Sequence, residues 1–139
     1  MKKIATICFS FLLIVGAACS AHSQSQGNSS QDRKSGAVTL LRVINTAEME
    51  HQMKQKHFGT FTELVESGSL DAAGKRFGSA WSALAFDRKA VSEPLFGYAM
   101  HFTVDAAGRN YSVALTDKSD NVSFFTDERG LIYEAKPLQ

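Results

Sequence analysis

Residues Gly36 to Phe58, GAVTLLRVINTAEMEHQMKQKHF, hold the pattern from which the fold is read. After Gly36 the stretch contains neither Gly nor Pro, and at 100° per residue Ala37, Leu40, Leu41, Ile44 and Ala47 share one side of a helical wheel. This predicts an amphipathic helix starting near Ser35 or Gly36, with Ser35 placed to cap it. About twenty residues at 1.5 Å each make a rod of roughly 30 Å, long enough to cross a small domain. Past Ala47 the apolar stripe is interrupted by Glu48 and His51, which project to the side of Leu41 and Ile44. The expectation is that the helix has left the core there and both groups reach water. The alternative is a half-buried pair at i, i+3, in which each group needs a partner because an unpaired buried charge is costly.

Upstream, Lys2 and Lys3 precede an apolar run from Ile4 to Val15, which closes on Gly16, Ala17 and Ala18. That is the layout of a secretory signal over residues 1–18, too short to span a bilayer as a permanent helix. Val15-Gly-Ala-Ala-Cys19 resembles the cleavage box of bacterial lipoproteins and makes Cys19 the expected lipid attachment site. The alternative is an ordinary signal cut after Ala21. Cys8 lies in the part that would be removed, so no disulfide is open to the mature chain. More than one acyl chain, at about 0.8 kcal/mol per buried CH₂, anchors a protein stably. The chain is thus expected to be exported and held on the cell envelope, at the periplasmic face or the cell surface. Residues 19–35 are rich in Ser and Gln and hold no aliphatic residue larger than alanine, which reads as a flexible polar tether.

Without residues 1–18 the chain carries 13 basic and 14 acidic side chains, a net charge of −1 with no basic cluster. Nucleic-acid binding is therefore not expected. One domain, residues 36–139, has enough apolar residues, ten phenylalanines among those of the whole chain, to bury a core without staples.

Thr60 and Glu63 have the spacing of a capping box, opening a short helix that Gly68 is placed to close in a left-handed conformation. Leu70 to Phe86 carries Phe77, Trp81, Leu84 and Phe86 among small residues and reads as a second short helix or an irregular loop. From Gly97 the period becomes two. Tyr98, Met100, Phe102 and Val104 alternate with polar or small residues, as do Tyr111, Val113 and Leu115. Turns at Asp105–Gly108, Asp117–Asn121 and Asp127–Gly130 separate these strands from shorter ones at Val122–Thr126 and Leu131–Glu134. Short connections imply sequential antiparallel neighbours. The expected fold class is α+β: a long N-terminal helix packed on a three- to four-stranded antiparallel meander.

Leu41-Arg-Val-Ile-Asn-Thr-Ala-Glu48, Gly59-Thr-Phe-Thr-Glu-Leu64, Gly97-Tyr98, Tyr111 and Phe124-Phe-Thr-Asp-Glu-Arg-Gly-Leu-Ile132 together resemble the globular half of type IV pilin-like and type II secretion pseudopilin proteins. The resemblance covers most of residues 36–133 and implies the C-terminal half of a long helix packed on an antiparallel sheet. In those families about twenty apolar residues precede that half and build the filament; here a lipoprotein-like signal and a polar tether stand in their place. The resemblance therefore implies the fold and leaves filament assembly aside.

No catalytic or cofactor site is legible. Asp117, Ser119, Asn121 and Glu128 match positions 1, 3, 5 and 12 of a calcium loop, but Val122 stands where the sharp turn requires Gly. The acidic residues there, Asp117 and Asp120, read as belonging to solvated hairpin turns. Some pseudopilins bind calcium in a C-terminal loop, and the resemblance keeps that alternative open. His22, His51, His57 and His101 lack metal-ligand spacing, with His51 and His57 expected on different sides of a helix. No nucleophile motif or phosphate loop is present. The expected role is a non-enzymatic envelope lipoprotein displaying a pilin-like domain for protein contacts, accessory to a secretion or pilus system through a partner the sequence does not name. The alternative is a small periplasmic or surface ligand-binding module, which a concave pocket lined by Phe77, Trp81 and Phe86 would favour.

Overall fold

The computed structural model describes residues 23–137. Helix α1 runs Ser23–Gln55, and Ala37, Leu40, Leu41, Ile44 and Ala47 on its predicted stripe are fully buried, joined by Val43. The helix begins well before Ser35, so Ser35 is not its cap, and the C-terminal part of the segment read as a tether is helical. Ion pairs tie this extension down: Arg33 lies 3.2 Å from Asp117, and Lys34 lies 4.0 Å from Glu134. Composition hid the extension because its hold on the domain is ionic, whereas the tether was inferred from missing apolar residues. The rest of that segment, residues 19–22, and the signal at 1–18 lie outside the described residues.

The helix ends at Lys56, whose φ of 68° turns the chain back on itself. Phe58 then donates its N–H to the Gly108 carbonyl at 2.8 Å, stitching the turn to the sheet. Helix α2 (Phe61–Glu66) opens with the capping box in full. Glu63 N donates to Thr60 Oγ1 at 3.3 Å, and Thr60 N donates to Glu63 Oε2 at 2.6 Å. Gly68, at φ 71°, ends α2 in the left-handed region, which only glycine enters without penalty. The uncertain stretch resolves into two short helices, α3 (Ser69–Lys75) and α4 (Ser79–Ser82), followed by an irregular connection.

Four strands follow: β1 (Tyr98–Val104), β2 (Tyr111–Asp117), β3 (Ser123–Asp127) and β4 (Ile132–Ala135). They form one antiparallel sheet in the order β1-β2-β3-β4, a meander as the short turns required. Its inner face carries the rows Met100–Leu115–Phe124 and Phe102–Val113–Thr126–Ile132, which cover α1. The chain is an α+β fold: one long helix lies between this sheet and the short helices, and its apolar stripe is the centre of the core.

Candidate functional site

From Ala37 to Ala47 the buried face of α1 is apolar apart from Asn45; beyond Ala47 it buries Glu48 and His51. Glu48 has no solvent exposure and His51 only 7%, so the helix has not run off the core at these positions. The expectation that both reach water is overturned: both are buried, more fully than the half-buried alternative had it, but not as a mutually partnered pair. The cause is the turn at Lys56, which folds residues 57–60 back over the last turns of α1. Glu48 Oε2 accepts the Gly59 N–H at 2.9 Å, while Glu48 Oε1 and His51 Nε2 are buried without partners. The same turn brings the His57 ring to 5.3 Å from that of His51, edge to face. These histidines were expected on different sides of one helix; His57 instead lies beyond the helix end.

Burial pushes the Glu48 carboxyl up to about 7, against the pull of the Gly59 hydrogen bond. Burial, and then the neighbouring His57, lowers the His51 pKa. Glu63, on the surface above them, is held below the usual carboxylate range by the Thr60 N–H and hydroxyl. The cluster sets a carboxyl whose pKa is raised beside an imidazole whose pKa is lowered. Gly59 packs over it, so close that a Cβ there would stand 3.0 Å from His51 Nε2.

Two further polar networks anchor α1 to the sheet. Asn45 accepts from the Tyr111 hydroxyl at 2.9 Å and donates to Thr126 Oγ1 at 2.9 Å and to the Gly130 carbonyl at 3.1 Å. In the first third of the helix, Arg33 donates to Ser119 Oγ at 2.9 Å and pairs with the buried Asp117. Burial alone would raise the Asp117 pKa, but hydrogen bonds from Ser119 and the Arg33 charge outweigh it and hold the carboxyl below its ordinary value. The adjacent Tyr98 hydroxyl is pushed up to about 12, by burial first and then by the Asp117 charge. None of these networks was read from the sequence.

The outer face of the sheet is different in kind. Its central row is His101–Ala114–Phe125–Tyr133, with Ala99, Thr103, Ser112, Thr116 and Ser123 around it. Phe125 and Tyr133 stack at 5.1 Å while each is more than a third exposed, and Leu131 beside them is 56% exposed. This is an apolar pair standing among small side chains, open to solvent. The adjacent phenylalanines at 124 and 125 had to face opposite sides of a strand, a signal that one would be exposed; which one required the register. Another exposed ring, Phe96, is 84% accessible beside a mostly apolar cavity of ≈ 270 Å³ that Leu84, Leu95 and Tyr98 help to line.

The remaining sequence candidates fall apart or pack away. Asp117 and Glu128 sit beyond opposite ends of β3, so they do not share one calcium loop, and Asp117 is already engaged by Arg33 and Ser119. Among the described residues no three His, Cys, Asp or Glu side chains group to hold a metal ion. Trp81 lies against Gly74 and tilts onto Phe86 at 5.2 Å, Phe86 meets Phe61 at 6.1 Å, and Phe77, Trp81 and Phe86 all pack, partly buried, against the core. His101 is exposed, as its place in the strand requires. Cys19 and His22 lie outside the described residues. No helix among the described residues is long and apolar enough to cross a membrane. Comparison with known proteins adds no assignment: no family model matches the chain, and no curated protein or solved structure matches it.

Proposed function

We propose that this chain is a non-enzymatic envelope lipoprotein, anchored through Cys19, that presents a pilin-like domain for protein contacts accessory to a secretion or pilus apparatus. The observation that carries the contact role is the stacked Phe125–Tyr133 pair with Leu131, exposed on the outer sheet face among small residues. Exposed apolar groups gathered in one place with a polar surround are characteristic of protein interaction sites. Support for the address comes from the Lys2-Lys3 start, the apolar run and Cys19.

The test is photo-crosslinking in the cell, with the crosslinker placed at Phe125 or Tyr133. Recovery of a secretion or pilus component supports the proposal; if neither position yields one, the link to those systems fails. Fractionation of Cys19→Ser is the companion measurement, since its retention with the lipid would sink the anchor.

A second reading, a ligand-binding module, is favoured by the apolar cavity beside Phe96. A rise in melting temperature with small apolar ligands, abolished by Leu84→Trp, would select it over the contact role.

A further inference from the structure

We infer that the groove between α1 and the free edge of β4 receives an extended acidic segment of a partner protein, which joins the sheet as a fifth strand. The inference rests on the protein-contact role proposed above and names the kind of partner. β4 is hydrogen-bonded to β3 on one side, and among the described residues nothing pairs with its other side. An unpaired strand edge presents alternating N–H and C=O groups to an incoming chain. Beside this edge α1 forms a ledge, and together they enclose a groove of ≈ 510 Å³ lined by Lys34, Val38, Arg42, Glu134 and Lys136 among others.

Charge selects the occupant. Lys34 and Lys136 share one carboxylate, that of Glu134, at 4.0 and 3.5 Å, and the exposed Arg42 has no ion-pair partner among the described residues. Three cations against one anion leave the groove basic on a chain whose overall charge is near balance. A second copy of this chain would bring the same three cations to the same edge, so self-pairing is disfavoured. The four residues of β4, ended by Lys136 and Pro137, also limit pairing to a short segment, roughly 13 Å of strand.

Strand alternation then sets the pattern of the incoming segment. Glu134 lies in the inner row with Phe124, and Tyr133 lies in the outer row with Phe125. In an added strand every second side chain falls on the α1 side, within the field of Lys34 and Arg42, and the others extend the outer aromatic row beyond Tyr133. The matching sequence alternates acidic with apolar residues.

The probe is the peptide acetyl-Thr-Val-Glu-Val-Glu-Val-Thr-amide, titrated into the ¹⁵N-labelled full chain and followed by amide chemical shifts. Two control peptides replace both Glu by Lys, or the central Val by Pro, which keeps the charge and blocks strand pairing. The expected result is shifts confined to β4 and the facing residues of α1, with both controls weaker by about tenfold or more. Arg42→Glu and, separately, Lys136→Glu weaken the acidic peptide by about tenfold. Arg42 and Lys136 are both exposed, and circular dichroism confirms that each variant folds. The inference is overturned by equal binding of the Lys peptide or the Pro peptide, by unchanged binding to both variants, by shifts elsewhere, or by self-association through β4. Absence of binding to the acidic peptide also overturns it, while leaving the crosslinking test at Phe125 and Tyr133 to decide the contact role.

Discussion

Glu48 and Gly59 are joined by one hydrogen bond of 2.9 Å, through which a buried carboxyl on α1 holds the turn that leaves the helix. The first prediction concerns pH. The Glu48 carboxyl has an ordinary value of 4.5 and about 7 in the folded protein, so the folded state binds its proton more tightly than the unfolded chain. Its contribution is therefore most favourable below pH 4.5, falls as pH rises towards 7, and is level above that. The span is on the order of 3 kcal/mol. His51 acts oppositely: its pKa is lowered from 6.5, so stability is lost as pH falls below that value. Glu48→Gln keeps an acceptor for Gly59 and has no proton to lose. It is expected to be more stable than the parent at about pH 8, by roughly 1–3 kcal/mol, and to lack the decline between pH 5 and pH 7. Urea unfolding across that range measures both, and identical pH profiles for the two proteins would refute the assignment.

A second prediction uses the lone tryptophan as a reporter. A Cβ on Gly74 would stand 2.3 Å from Trp81 Cε2, closer than any contact allows. Gly→Ala inside a helix ordinarily gains up to about 1 kcal/mol, whereas overpacking costs about 1–3 kcal/mol. Gly74→Ala should therefore be destabilised, with Trp81 emission shifted to the red as the ring is driven outward. A more stable protein with unchanged emission would contradict this packing.

Asn45 gives the third. Asn45→Ala removes the partner of two buried hydroxyls, Tyr111 and Thr126, and is expected to cost about 2–4 kcal/mol. Tyr111→Phe leaves Asn45 bonded to Thr126 and Gly130, and should cost about 1 kcal/mol. Denaturant titrations compare the two directly; equal losses would mean that Asn45 is not the hub.

The fourth tests the N-terminal third of α1. Arg33→Ala unpairs Asp117 and releases the first turns of α1 from the sheet, at a cost of about 1–2 kcal/mol. Amide hydrogen exchange should accelerate before Gly36 and hold steady from Ala37 onward, where the apolar contacts begin. Uniform protection through residue 33 in the variant would show that the ion pair is not what holds this segment.

These experiments probe the places where the sequence was least legible. The apolar stripe of α1 and the alternation of β1 and β2 could be read directly, because burial of one face imposes a period that composition displays. The turn chemistry from Thr60 to Gly68 was equally open, since capping is a local interaction between residues three apart. Glu48 was misread because its burial depends on a turn eleven residues later, and Arg33 because its partner lies eighty-four residues away on a strand not yet placed. Polar groups mark the surface unless something folds over them, and that something was remote in each case. The outer face of the sheet lies between these extremes. Alternation showed that it would exist, while the stacking of Phe125 on Tyr133 depended on the pairing of β3 with β4.

The distance between α1 and its cover also bears on how the molecule is made. Asn45 and Thr126 are 81 residues apart, yet they meet in the core. A chain synthesised from its N-terminus completes α1 long before β3 has left the ribosome. Helix α3 arrives first and shields one flank, with Leu70 and Ala73 against the stripe. The flank that the sheet will cover stays wet until the final fifth of the chain emerges. Any nascent form that stops short of β3 is thus a greasy rod with half a coat, the species a holding chaperone would have to recognise.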